Sequence, residues 1–119
     1  MNRIFLILAC LLPTVVFSAN MNFLNNSDSA VRFFSDSDWT LFNNAVENGL
    51  NKSANGSKVS WKNQKSGSYG FVTPLTKTAK NGTTCRNLKI VSHANNRTDN
   101  YTFTFCKYPS GWKIPSDGN

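Results

Sequence analysis

The residues that could carry out chemistry are few. Beyond residue 19 the chain has one histidine, His93, one glutamate, Glu47, and two cysteines, Cys85 and Cys106. A nucleophilic triad needs a histidine oriented by a carboxylate and touching a nucleophile. Asp99 would stand across a hairpin from His93, yet its side chain would leave the opposite face of the strands. His93 therefore reads as a surface residue. The Cys and His residues lack zinc spacing, and the aspartates are too scattered for a calcium loop. No Gly-rich loop opens a helix to cradle a phosphate. The expectation is a non-enzyme with no catalytic residue, no metal and no cofactor.

Recognition is the chemistry that remains, and charge is its strongest signal. Between residues 20 and 49, Asp28, Asp36, Asp38 and Glu47 face only Arg32, a net charge of −3. Between residues 51 and 113, eleven basic residues face Asp99 alone, a net charge of +10. Such a field favours anionic partners: lipid headgroups, lipopolysaccharide, acidic polymers or an acidic protein face. Lys62, Lys65, Lys89 and His93 are the candidate residues for that face; a well-solvated lysine surface is the plainer alternative. Aromatic and basic residues interleave around Trp61-Lys62, Arg86–Lys89 and Phe105–Tyr108, as in single-strand nucleic-acid binders. Strand alternation explains this more simply, with aromatics in and lysines out, and nucleic acid is not an expected partner.

The first segment reads as an export signal. Arg3 is the positive n-region, residues 4–17 form an apolar run broken by Pro13 and Thr14, and Ser18-Ala19 offers a cleavage site. The run is short for a membrane span, which needs about 20 apolar residues. Ile7-Leu8-Ala9-Cys10 loosely matches a lipoprotein box, but strongly apolar sequence continues past it, so Cys10 reads as part of the signal. Export leads to an oxidising compartment, where Cys85 and Cys106 should be paired and not free nucleophiles. Several Asn-x-Ser/Thr triplets, such as that at Asn100, are expected by chance in a chain this rich in Asn, Ser and Thr.

The rest must position these residues. Residues 20–35 read as a flexible leader in which Val31, Phe33 and Phe34 could dock. A helix is predicted over 38–50, capped by Ser35 or Asp38, because Trp39, Phe42, Ala45, Val46 and Leu50 recur at spacings of three and four. Gly49 sits where a left-handed residue would end it. Strands follow at 59–62, 69–78 with Pro74 marking an edge or bulge, 83–93, 100–108 and 112–114, with a hairpin turn at Asn81-Gly82. If Asn95-Asn96 is a two-residue turn, opposed residues have numbers summing to 191, as Cys85 and Cys106 do. They fall on a non-hydrogen-bonded pair, where Cα atoms lie about 4.5 Å apart, within disulfide range. That register puts Leu88, Ile90, Tyr101, Phe103 and Phe105 on the core face. Asn87, Lys89, His93, Thr102, Thr104 and the bridge lie on the outer one.

The run Val59–Asn63, Ser66-Gly67-Ser68-Tyr69-Gly70, Val72-Thr73-Pro74, Cys85-Arg86, Phe105-Cys106 and Gly111–Ile114 resembles the C-terminal domain of the bacterial 17-kilodalton outer-membrane surface-antigen family. The resemblance implies a Gram-negative envelope protein with no known enzymatic activity. Trp61, Gly67, Gly70, Pro74, Arg86, Gly111 and Trp112 would then hold core and turns, not a ligand. The chain lacks the Gly-rich segment that often precedes this domain in family members.

The expected organisation is a signal peptide (1–19), a leader (20–35), an α+β domain (36–115) and a tail (116–119). The domain is one N-terminal helix packed on a four- or five-stranded antiparallel sheet with one disulfide. The expected function is non-catalytic binding or scaffolding in the periplasm or at the outer membrane, with an envelope protein or anionic envelope component as partner. Peripheral membrane association would be compatible with it. A secreted inhibitor or effector acting on a host or rival protein is the alternative.

Overall fold

A computed structural model describes residues 29–115; the readings of the signal peptide, Cys10, residues 20–28 and the tail fall outside them. A 3₁₀ turn, Ala30–Phe33, leads into helix α1, Asp36–Asn51. Five strands follow: β1 Val59–Lys62, β2 Tyr69–Lys80, β3 Thr83–Ala94, β4 Arg97–Tyr108 and β5 Gly111–Lys113. They form one antiparallel sheet in the order of the chain. Each connection is therefore a hairpin, and α1 packs across β1, β2 and β3. This is the expected α+β fold.

Both candidate caps of α1 act together. Ser35 is the N-cap, its Oγ accepting from the Asp38 N–H (3.1 Å), while the Asp38 carboxylate accepts from the Ser35 N–H (2.9 Å). This is a capping box. The buried Asp38 also accepts from Asn63 Nδ2 and Ser66 Oγ, both at 2.7 Å, so it pins the β1–β2 loop to the start of the helix. Burial pushes the carboxyl's pKa up, but hydrogen bonds from Ser35, Ser66, Asn63 and Ser68 outweigh it and hold the group below its ordinary 3.8. Asp38 therefore stays ionised to lower pH folded than unfolded. Its contribution is fully present above the unfolded pKa and is lost as pH falls through the folded one. The urea midpoint should accordingly fall below about pH 4, and Asp38→Asn should show a shallower acid slope.

The apolar stripe of α1 is buried as expected: Phe42, Ala45, Val46 and Leu50 meet Val72, Leu88, Ile90 and Phe105 from the sheet. Phe34, Trp39, Phe42 and Trp61 close one end in edge-to-face contacts with centroids 5.1–6.4 Å apart. At the other end Trp112 donates its indole N–H to Asn51 Oδ1 (2.8 Å). The 3₁₀ turn packs on β3 and β4 with Ala30 and Val31 buried, and the Ala30 N–H bonds Asp99 Oδ2 at 2.8 Å. The folded unit thus begins by residue 29, not 36, because a buried carboxylate and two small apolar residues fix the stretch expected to be the end of the leader.

Gly49 differs from expectation as well. It is helical, and the chain continues to a C-cap at Lys52. A Cβ at Gly49 would lie 2.9 Å from Val72 Cγ2 and 3.2 Å from Leu88 Cδ1, so the glycine permits close helix–sheet approach. Strand β4 starts three residues earlier than predicted and β5 one earlier. The turn at Asn95-Asn96 (φ 53° and 61°) leaves no residue between itself and Arg97. Pro74 pairs with Leu88 beyond the end of β1, and the register then shifts between Pro74 and Lys77. Its missing N–H thus falls on the side away from β3, beyond β1, where proline is tolerated, while its carbonyl there accepts the Gly56 N–H at 2.7 Å.

Candidate functional site

The expected register holds along the whole β3–β4 hairpin, from Ala94 opposite Arg97 to Cys85 opposite Cys106. The cysteines form a disulfide with Cα atoms 4.0 Å apart. Such a bridge points to an oxidising, exported location. Among the described residues no helix is long and apolar enough to cross a membrane. The bridge lies on the outer side by register but is buried, at 3 % and 4 % exposure. It floors a groove of about 320 Å³ walled by Thr78, Lys80, Thr104, Ile114 and Pro115.

Among the described residues no carboxylate orients His93. Its Nδ1 is 2.9 Å from Thr98 Oγ1, and its ring stacks on Tyr69 with centroids 4.6 Å apart. Asp99 faces the other way, held by Ala30, and Glu47 accepts from Asn51 on the helix (3.1 Å). Among the described residues no three His, Cys, Asp or Glu side chains converge as a metal site would require.

What the strands bring together is a cationic, aromatic surface on the side of the sheet away from α1. Register sets its rows. Lys62 opposes Tyr69, which opposes His93, which opposes Thr98; Ser60, Phe71, Val91 and Asn100 form the next row, and Lys89 opposes Thr102 in the one after. Lys58 adds its ammonium 4.1 Å above the Phe71 ring, a cation–π contact. Tyr69 is 44 % exposed, and Thr98, Asn100, Thr102 and Thr104 face solvent along β4. Among the described residues every acid lies elsewhere: Asp36, Asp38 and Glu47 on α1, and Asp99 on the inner side of β4.

Three of the four predicted face residues, Lys62, Lys89 and His93, share this surface. Lys65 is exposed in the loop beside it, with its backbone N–H on Asn63 Oδ1 (3.1 Å). Sequence reasoning missed Lys58, Tyr69 and Phe71. The signal was present, since Gly70, Val72 and Pro74 alternate inward and so force Tyr69, Phe71 and Thr73 outward.

Comparison of the chain with protein-family models, curated proteins and solved structures finds no match. The likeness to the surface-antigen family therefore rests on the residues that carry it. Trp61 and Trp112 are buried in the core. Gly67 and Gly111 take positive φ (82° and 121°) at turns. Gly70 lies under the Trp61 indole, where a Cβ would meet Nε1 at 2.8 Å and run into the Val91 carbonyl. Gly70→Ala should cost about 1–3 kcal/mol in thermal or urea denaturation; a neutral result would mean that both the indole and the β3 backbone at Val91 can give way. Arg86, 2 % exposed, reaches across to the C-terminal end of α1.

Proposed function

We propose that the protein is an exported, non-catalytic binding protein whose open sheet face engages an anionic partner in the cell envelope. One observation carries the reading: the side of the sheet not covered by α1 gathers Lys58, Lys62, Lys89, Tyr69, Phe71 and His93, with no carboxylate among its described residues. Ammonium groups beside exposed rings offer both charge and stacking area to a flexible polyanion. The segregation of acids onto α1 supports an oriented approach, since a polyanion meets repulsion on the helix side. The periplasm and the outer-membrane surface are the compartments proposed, in line with the disulfide and the family resemblance.

The test is retention on an immobilised polyanion as salt rises. The protein should be retained at low ionic strength and released by moderate salt, because screening shortens the reach of exposed charges to about 8–10 Å near physiological strength. Lys62→Gln with Lys89→Gln should bind on the order of tenfold more weakly, with unfolding unchanged. Replacing two exposed lysines elsewhere, Lys52 and Lys107, should have a smaller effect. Equal losses from both pairs would reduce the interaction to net charge and overturn the assignment of a face.

A further inference from the structure

Besides the short terminal strands β1 and β5, strands β2 and β4 each have a stretch of edge that no described strand covers, and the two stretches are not alike. Beyond Pro74 the free edge of β2 carries a bulge, Lys77 and Lys80. Proline, lysine and bulges are the devices by which sheets discourage further pairing. Strand β4 pairs with β3 along its length, but β5 covers only Cys106, Lys107 and Tyr108 on its other side. From Thr98 to Phe103 that edge has no lysine, proline or bulge.

Hydrogen-bond parity identifies the groups involved. The two-residue turn makes Ala94 and Arg97 a bonded pair, so alternation turns the N–H and C=O of Thr98, Asn100 and Thr102 away from β3. The β4–β5 turn agrees, since Tyr108 opposes Gly111 across two residues and even-numbered positions of β4 again face outward. Among the described residues no strand pairs with these three. The edge also has two different sides. On the inner side Tyr101 and Phe103 stack at 5.7 Å and stay partly exposed, and Phe33, 40 % exposed, continues the apolar strip beneath Arg97 (4.8 Å). On the outer side are hydroxyls, with Lys89 opposite Thr102 and Lys113 opposite Cys106.

We infer that the β4 edge receives an extended segment of a partner protein, its residues alternating between apolar side chains over Tyr101 and Phe103 and acidic side chains toward Lys89. Main-chain bonds would supply affinity and the alternation specificity, as in other cases of strand addition. Charge decides the occupant: acidic side chains on the outer side neutralise Lys89 and Lys113, whereas a second copy would bring the same edge, with lysines and no carboxylate on its outer side among the described residues, against its equivalent. The acidic preference rests on the cationic reading of the outer face; the pairing itself rests on a backbone edge with which no described strand pairs.

The probes are nine-residue peptides alternating valine with glutamate or valine with lysine, titrated against the intact protein by fluorescence anisotropy. The valine–glutamate peptide should bind at least tenfold more tightly and slow amide exchange at Thr98, Asn100 and Thr102. Thr102→Pro, which removes an outward N–H, should weaken it at least tenfold, while Thr102→Val should retain it. Should the proline variant fail to fold, amide exchange in the unaltered protein still decides. Equal binding of both peptides, or no protection at those amides, would overturn the inference. So would their protection in the free protein, as a dimer (a second copy on the edge) or as a monomer (the chain covering itself). Polyanion retention without peptide binding would overturn this inference alone and leave the open-face reading standing.

Discussion

Arg86→Met is expected to lower stability by about 3–5 kcal/mol, enough to leave a small domain marginally folded. The Arg86 side chain is buried without a carboxylate partner among the contacts it makes. Instead Nη1 donates to the Gly49 and Leu50 carbonyls (3.1 Å each), Nη2 to the Ser53 carbonyl (2.7 Å) and Asn55 Oδ1 (2.8 Å), and Nε to the Leu75 carbonyl (3.3 Å). Two of these oxygens are carbonyls from the last turn of α1, which have no partner within the helix. The helix C-terminus also carries partial negative charge, so a buried cation is stabilised where it stands. Methionine keeps much of the volume but supplies no donor, leaving buried carbonyls unbonded at about 1–3 kcal/mol each. Arg86→Lys should recover only part of the loss, because one ammonium cannot span acceptors arranged around a planar fork. Urea denaturation monitored by tryptophan fluorescence checks both variants. A loss below about 1 kcal/mol for methionine would mean water replaces the guanidinium, and the proposed tie between helix end and sheet would fall.

Removing the disulfide is expected to cost about 3 kcal/mol, whether by Cys85→Ala with Cys106→Ala or by reduction of the unaltered protein. The bridge joins residues separated by 21 positions, so its main effect is to restrict the unfolded chain. The hairpin it closes holds much of the sheet: β3 supplies Leu88, Ile90 and Arg86, and β4 supplies Phe105 and the open edge. The register should survive, since the Asn95-Asn96 turn and the Leu88–Phe103 and Ile90–Tyr101 pairs also specify it. The alanine variant should therefore unfold at a lower denaturant concentration with similar cooperativity. Loss of a cooperative transition would instead show that the bridge is needed to define the fold.

The hairpin was legible because two independent local signals converge on it. An Asn-Asn turn fixes which residues oppose, and the cysteines are placed on an opposing pair. The helix was legible from its spacing, and its cap from the reciprocal chemistry of Ser35 and Asp38. What was not legible depends on contacts distant in sequence. Ala30 and Val31 look like leader residues until Asp99, 69 positions away, accepts the Ala30 N–H. Gly49 looks like a helix terminator until Val72 and Leu88 are seen to need its missing side chain. Arg86 reads as structural only through the family resemblance, and the reason for its burial is supplied by the acceptors at the end of α1, far from it in sequence. The candidate face was half visible: lysines stand out in a sequence, whereas the outward turn of Tyr69 and Phe71 follows only once Gly70 and Val72 are placed inward.

The central claim is that the sheet face opposite α1 binds an anionic partner, and amide chemical-shift mapping with a soluble polyanion tests it most directly. Titration at low salt should shift the amides of Lys62, Tyr69, Phe71, Lys89 and His93, leave residues along α1 unmoved, and reverse as salt is added. Shifts spread evenly over the exposed lysines, or concentrated on α1, would contradict it.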